Sequence, residues 1–528
     1  LTMVTLASFA ENNFAVQNVQ QDAKVKGQVT DVNGEPIIGA TVTLKGTNKR
    51  AVTDLDGNYV LPNVAKGVVV VSYVGYKTTE QAVSAGKNNT IKIEEANGLL
   101  NEVVVVGYGA VKKSDLTGAV ASVSTKDLVA TGLASAAGAM QGAVSGVNIQ
   151  RSSGKPGSSY NILIRGLNTI NGSTSPLIVI DGVPGAQLEN INPDDIENVT
   201  VLKGGAAAAL YGEGARNGVI IYTSKKGKKR KGIGIDLSTS IGYDMLSNMI
   251  DLQKSYAAGT NGTVYIAPAQ YGADGFPITG GTNQSWGPLI SSVSGLKAFD
   301  NVKNFYQTGV TSNYNLSLSG GNENGTFRAS FGHLDQTGIV PNTGLKKTSF
   351  NVNSEYKFTE KLKAGADLLY SNTTGLRAQK GSNTAGIMLS LLRTPASYDL
   401  RDYQTEQGYN KNYFSAYDNP FYTVYKNPYK DETNRVIFNG HINYNYSKWF
   451  NALVRAGVDT YTTHAQQNYS YSSNGNSTAD GSGQVIIDTF TKSLYNFDLV
   501  FNGIVDLTDK INLNYSIGGQ INSTFYND

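Results

Sequence analysis

Asn101-Glu-Val-Val-Val-Val-Gly-Tyr-Gly109 is the stretch whose reading decides the fold. Its four consecutive valines, Val103 to Val106, favour an extended backbone, because a side chain branched at Cβ crowds a helix and packs well on a pleated surface. The sequence predicts a strand there. Glu94 to Leu100 before it is loop-like, and Gly107 and Gly109 close it, so no local pairing partner is expected for its backbone. Taken alone, a short apolar run reads as a buried core strand. Its setting argues otherwise, since the run stands between two domain-like segments and would present an unpaired edge open to strand addition.

Upstream, from Lys24 to about Ile93, short β-rich runs alternate with turn signals such as Asn33-Gly34 and Asp56-Gly57, the spacing of a small sandwich. The string Gly27-x-Val29-x-Asp31, Pro36, Gly39-Ala40-x-Val42, Thr53-Asp54-x-Asp56-Gly57 and Ser72-Tyr73-x-Gly75-Tyr76 resembles the carboxypeptidase-regulatory-like domain. Asp54-x-Asp56-x-Asn58 is read as a tight turn rather than a calcium loop, because the glycine is misplaced and the twelfth position is Ala65. Residues 1–10 look like the apolar part of a secretory signal, with cleavage after Ala10 or Ala15.

Downstream come blocks in order: Leu116 to Val120, Gln141-Gly142 with Gly146-Val147, Ile164-Arg165-Gly166, Pro176 to Pro184 containing Asp181-Gly182, and Ile191-Asn192-Pro193-x-Asp195-Ile196. They continue with Val201-Leu202-Lys203-Gly204, Tyr211-Gly212 and Asn217-Gly218-Val219. Together they resemble the plug of the SusC/RagA family of TonB-dependent outer-membrane transporters of Bacteroidetes, although Glu213 to Arg216 departs from the commoner small-Arg-Ala-Ala order. Short strands such as Leu177 to Ile180 alternate with turns and brief helices, for which Pro193–Glu197 and Ala206–Leu210 are candidates, so the expectation is a compact α+β domain. Arg165 and Asp181 stand in apolar surroundings and are expected in a polar network, either stabilising the plug or latching it.

After the basic run Lys225 to Lys231, read first as a solvated linker, the texture changes to period-2 strands. The candidates are 233–243, 313–320, 326–334, 348–358, 362–371, 434–446, 449–461, 494–507 and 511–523. Phe350, Val352, Tyr356 and Phe358 fall on one face, as do Leu362, Ala364, Ala366, Leu368 and Tyr370, with Asn, Ser, Lys and Asp opposite. That is the pattern of a lipid-facing barrel. Short links at Thr359-Glu360-Lys361, Ser447-Lys448 and Thr508-Asp509-Lys510 alternate with long polar connections, 372–433 and 462–493, which favours a barrel over a soluble sandwich. A bacterial barrel needs an even strand count, and the resemblance implies about 22, so roughly 13 strands are expected beyond these nine.

Composition excludes more than it assigns. The 528 residues carry 59 Gly, 31 Tyr, no Cys and a net charge of +3, which offers no thiolate site and no bulk attraction to nucleic acid. His333, His441 and His464 stand outside any zinc-peptidase motif, and no Gly-x-Ser-x-Gly elbow occurs. Asp194-Asp195 is read as a helix cap. No enzyme, metal or cofactor is expected. Tyr413, Tyr417, Tyr422 and Tyr425 suit either stacking on sugar rings or an interfacial aromatic belt.

The fold expected is therefore mainly β: residual signal and linker at 1–23, a sandwich at 24–95, the valine linker at 96–109, a plug at 110–226 and an incomplete antiparallel transmembrane barrel at 227–528. The resemblance makes Glu102, Val103, Val104, Val105, Val106, Gly107 and Tyr108 the Ton box that binds TonB, driven by ExbB and ExbD. It makes Arg165, Gly166, Asp181, Gly182, Val201, Leu202, Lys203, Tyr211, Gly212, Asn217 and Gly218 plug signature residues. It also implies an outer-membrane site with the sandwich and Ton box in the periplasm, contact with outer-membrane lipid, and a SusD-like surface lipoprotein as partner. Active import of an oligosaccharide or peptide, ahead of an iron chelate, is the function it implies. The competing reading is a surface glycan-binding protein or adhesin, which needs neither a Ton box nor a plug.

Overall fold

The computed structural model describes residues 24–32, 34–47, 49–73, 76–87, 89–94, 103–106, 109–112, 120–124, 135–185, 188, 191–204, 211–379, 385–475, 482–508 and 511–527. The stretch read as a signal, residues 1–10, the helix candidate Ala206–Leu210 and the turn residues Asp509 and Lys510 lie outside them. By contacts the sandwich forms one unit, and the plug with a large sheet forms another.

The sandwich packs a three-stranded sheet, Asn58–Leu61, Val25–Thr30 and Asn89–Lys92, with a four-stranded one built on Thr41–Leu44 and Lys66–Ser72. Alternate residues such as Val25, Val29, Val69, Val71 and Ile91 are fully buried, as a period of two on a half-buried strand requires. Asp54 Oδ1 accepts the backbone N–H groups of Asp56 and Asn58 at 3.1 and 2.8 Å, so its carboxylate closes a turn.

The plug sheet runs in the order Val120–Ser124, Ile196–Leu202, Val219–Ser224, Leu177–Ile180, Val183–Pro184. A separate hairpin joins Val147–Arg151 to Tyr160–Ile164. Val199, Val201, Leu202, Val219 and Ile220 are fully buried, consistent with the continuous apolar runs from which the strands were read. The helix expected at Pro193–Glu197 is a single 3-10 turn, Pro193–Asp195, because β-branched residues from Ile196 onward continue as strand.

All nine strands expected after the basic run form one antiparallel sheet in sequence order: Arg230–Asp244, Gly309–Gly321, Gly325–Thr337, Gly344–Lys357, Leu362–Arg377, Tyr429–Ser447, Phe450–Tyr469, Gln484–Thr508 and Ile511–Asn527. Its burial is inverted relative to a water-soluble sheet. Phe350, Tyr356, Leu368 and Tyr370 are 37–49% exposed, whereas Asn351, Asn353, Asp367 and Ser371 on the other face are at most 5% exposed. Such a surface is stable against hydrocarbon, not water. No helix among the described residues is long and apolar enough to cross a membrane.

Among the described residues, links 322–324, 358–361 and 448–449 lie on one edge of the sheet, and 245–308, 338–343 and the described parts of 378–428 and 470–483 on the other. Two expectations are corrected here. The long-loop edge includes the brief link 338–343, and much of 462–493 is strand rather than loop. With 13 to 25 residues, the strands exceed the 9–11 or so that a bilayer needs. Leu368 lies near the middle of the apolar run Leu362–Tyr370. Leu368→Lys is expected to cost roughly 2–4 kcal/mol of insertion free energy, to be measured as a lowered folded fraction on refolding into lipid vesicles.

Candidate functional site

Val103–Val106 is extended and pairs with Gly109–Lys112 in a two-stranded sheet. The expectation of no local partner is thereby corrected: the two residues between these strands are the commonest hairpin spacing. Among the described residues no third strand joins this ribbon. Glu102, Gly107 and Tyr108 lie outside the described residues.

Most of the plug signature residues shape the plug's own turns. Arg165 (φ 64°) and Gly166 (φ 123°) turn the chain out of Tyr160–Ile164, and Arg165 is exposed, not enclosed as expected. Val201 and Leu202 are core. The Lys203 ammonium donates to the Ser145 carbonyl at 2.5 Å, and Tyr211 packs against the core beside Gly212. Asn217 Nδ2 donates to the carbonyls of Ser173 and Ser175 at 2.7 and 3.0 Å and its Oδ1 accepts from Asn168, while Gly218 follows at φ 92°.

Asp181 and Gly182 differ from these, because their hairpin turn docks on the large sheet. Asp181 Oδ1 accepts the Ser224 N–H at 2.8 Å and its Oδ2 the Ser224 hydroxyl at 2.5 Å, while the Asp181 carbonyl accepts from Asn439 Nδ2 of the sheet at 2.9 Å. Burial first, then the nearby Asp367 charge, drives this carboxyl above its ordinary value, with Lys226 and the Ser224 bonds opposing. Gly182 has φ 92°, and a Cβ there would stand 1.5 Å from Arg455 Nη1. Gly182→Ala is expected to destabilise the docked plug by at least about 1–3 kcal/mol through backbone strain, read as a lower denaturation midpoint.

Other plug groups meet the same wall. Arg328 Nη2 lies 2.8 Å from Asp195 Oδ1, both nearly inaccessible, and the Ser330 hydroxyl donates to the same oxygen at 2.6 Å. Asn313 donates to Asp194 at 3.0 Å, Lys347 to the Ile191 carbonyl at 3.0 Å, and Arg377 to the Pro156 carbonyl at 2.5 Å. Lys226, between the last plug strand and the first sheet strand, pairs with Asp367 at 2.7 Å. Asp195 therefore ties the plug to the wall; the cap at this turn is Asn192, which accepts the Asp194 N–H. The sequence offered no signal for these pairs, since their members stand 119 to 221 residues apart. Apolar contact is also present through Leu369, Ile437 and Leu494, but the named links across the seam are polar. An interface of hydrogen bonds and ion pairs is neutral or nearly so against water, and so can be parted and remade.

Above the sheet, Val302, Phe305, Leu391, Tyr398, Leu400 and Phe421 form a loop core. Both proposed roles are corrected by burial for three of the four tyrosines. Tyr413, Tyr417 and Tyr422 are at most 8% exposed, with hydroxyls bonded to Ser390, Arg393 and Tyr471, while Tyr425 alone of the four is 46% exposed. They are the cap's core, not its contact surface. Histidine is dispersed: His333 and His464 bond threonines and His441 lies 4.0 Å from Glu355. No cluster able to hold a metal occurs among the described residues.

Residues 112–219 match the TonB-dependent Receptor Plug Domain and residues 25–105 the CarboxypepD_reg-like domain. The TonB-dependent receptor SusC of Bacteroides thetaiotaomicron is 33% identical over 420 residues, 77% of this chain. The chain is a SusC/RagA-like TonB-dependent receptor. Another relative, TonB-dependent receptor P26 of Formosa agariphila, is 31% identical over 455 residues, 84% of this chain. The receptor's chain spans 40% and 43% of these relatives' lengths. Its fold is similar to the RagAB peptide importer in the open-open state, with a TM-score of 0.60 at 23% identity over 80% of this chain and 50% of that one. Receptors of this kind are outer-membrane β-barrels, so the inverted sheet is barrel wall and the seam is a plug–barrel seam.

Proposed function

We propose that the receptor imports a nutrient across the outer membrane by TonB-dependent active transport. The observation that carries this reading is the polar seam: a plug held inside an inverted-polarity sheet by separable links, with a valine strand upstream on which to pull. In this account the sandwich at 24–95 and the linker at 96–109 face the periplasm, the plug occupies 110–226, and the wall begins at 227. TonB, energised through ExbB and ExbD, adds a strand to Glu102–Tyr108. The long-loop edge then faces outward and receives cargo, with a SusD-like lipoprotein covering the loop cap and outer-membrane lipid around the apolar band.

An oligosaccharide or peptide is proposed as cargo ahead of an iron chelate. SusC is a relative, and a structural neighbour is described as a peptide importer. The adhesin reading requires no seam that parts. Collapse of the proton gradient in cells making the receptor is expected to stop uptake of labelled cargo while leaving surface binding intact. Uptake that continues unchanged without the gradient would refute active import, and binding without any energised uptake would favour the adhesin.

A further inference from the structure

We propose that Asp418 is an acid-tightened latch, holding the 470–475 turn against the loop cap and releasing it as the carboxyl ionises. Asp418 is 1% exposed and stands immediately before Asn419, which caps the short helix Pro420–Lys426. Its two oxygens collect donors from the cap and from the turn that follows strand Phe450–Tyr469. Ser473 Oγ donates to Oδ2 at 2.5 Å, and Asn474 donates to Oδ1 through its backbone N–H at 2.6 Å and its amide at 3.1 Å. From the cap, Asn427 reaches Oδ2 and Asn410 reaches Oδ1, each at 3.3 Å.

All of these donors are neutral. A carboxylate buried without a cation loses its hydration, and neutral hydrogen bonds offset that loss only in part. Burial accordingly drives the carboxyl from 3.8 to about 6, against the pull of the Ser473, Asn474 and Asn427 bonds. The charged and titratable groups nearby do not alter the sign. The Tyr271 and Tyr469 phenols interact with Asp418 and are neutral across the relevant pH range. Arg393 is committed to the Tyr417 hydroxyl at 2.7 Å, and Lys411 to Asp402 at 2.6 Å.

The cluster supplies three of the hydrogen bonds that join the turn to the cap, and its carboxylate is the acceptor among them whose charge changes with pH. No residue of 470–475 belongs to the cap's hydrophobic core. The turn's further ties include the Tyr422 hydroxyl to Ser470, Tyr471 and Ser472, Asn410 N–H to Ser472, Ser470 N–H to Asn427, Asn427 Nδ2 to the Ser473 hydroxyl at 2.9 Å, Asn474 Nδ2 to the Ser415 carbonyl at 3.1 Å, and the Tyr471 ring 5.2 Å from Tyr409 and 6.2 Å from Phe276. With the turn released, the carboxyl is hydrated and returns toward its ordinary value. The closed form therefore has the raised pKa: its extra stability is complete below about 3.8 and is lost as pH rises through about 6. Acid closes the turn, the reverse of what a salt-bridged carboxylate would do.

Hydrogen exchange of the detergent-purified protein, corrected for the intrinsic pH dependence of exchange, reads this directly. Amides of 470–475 are expected to be about tenfold better protected at pH 5 than at pH 7.5, the ratio set by a shift of about two pK units. Asp418→Asn keeps the shape without the charge and should give high protection at both pH values. Ser473→Ala removes one donor to the ionised form and should enlarge the pH ratio. Equal protection of the wild type at both pH values would overturn the latch, and so would a pH ratio that survives in Asp418→Asn.

Discussion

Proline at Val104 or Val105 is expected to cut energised uptake by about tenfold or more at whichever position aims its N–H at the free edge, because one lost ladder bond and its disturbed neighbour exceed 1.4 kcal/mol. The backbone groups of alternate residues in an antiparallel strand point to opposite edges. One edge of Val103–Val106 is engaged with Gly109–Lys112. Proline at a residue facing that partner should loosen the hairpin and reduce uptake less. Val104→Ile and Val105→Thr keep both the donor and the β-propensity, so uptake should stay near normal. Cargo binding at the long-loop edge should survive every one of these changes. Normal uptake with proline at both positions would contradict strand addition, and loss of binding together with uptake would make the valines part of the plug core.

Arg328→Met should destabilise the docked plug by up to about 3–5 kcal/mol, the effect of breaking a buried pair, moderated by the attraction Asp195 keeps to Lys225 and Lys347. Asp195 would keep only the Ser330 hydroxyl of the contacts it shares with that arginine. The paired change Arg328→Met with Asp195→Asn removes both charges and should recover most of the loss, since a buried ion pair is worth little relative to neutral groups that pack as well. Limited proteolysis of the plug and denaturant titration would read both variants. If Arg328→Met leaves plug protection unchanged, the pair is not a tie across the seam.

How much of this was legible in the sequence follows from where a period exists to be read. Strands such as Gly344–Lys357 were found because Phe350, Val352 and Tyr356 alternate with Asn351, Asn353 and Glu355 across a lipid-facing and a buried face. Where the strands leave that band the alternation ends. Residues 462–469, with Thr462, Thr463, Gln466 and Gln467, are mostly polar and read as loop although they are strand, and in 484–493 Val485, Ile486 and Ile487 stand consecutively, so no period of two is set up there. The same limit hid the valine strand's partner, because Gly109–Lys112 is too short and glycine-led to announce itself. Tyrosine composition misled for a different reason: Tyr413 and Tyr422 are amphipathic, and only the fold decides whether ring or hydroxyl is served. Links across the seam join side chains far apart in sequence, and nothing local marks Asp195 for Arg328. One local signal went unread: positive φ at both Asp181 and Gly182 suits the Asp-Gly turn found there.

The measurement closest to the central claim is hydrogen exchange of the receptor titrated with the purified periplasmic domain of TonB. Strand addition at the valines predicts saturable protection confined to alternate amides of Val103–Val106 and their immediate neighbours, with the plug–barrel seam unchanged in the absence of pulling. Saturable binding that protects a different segment, or no binding at all, would contradict the account.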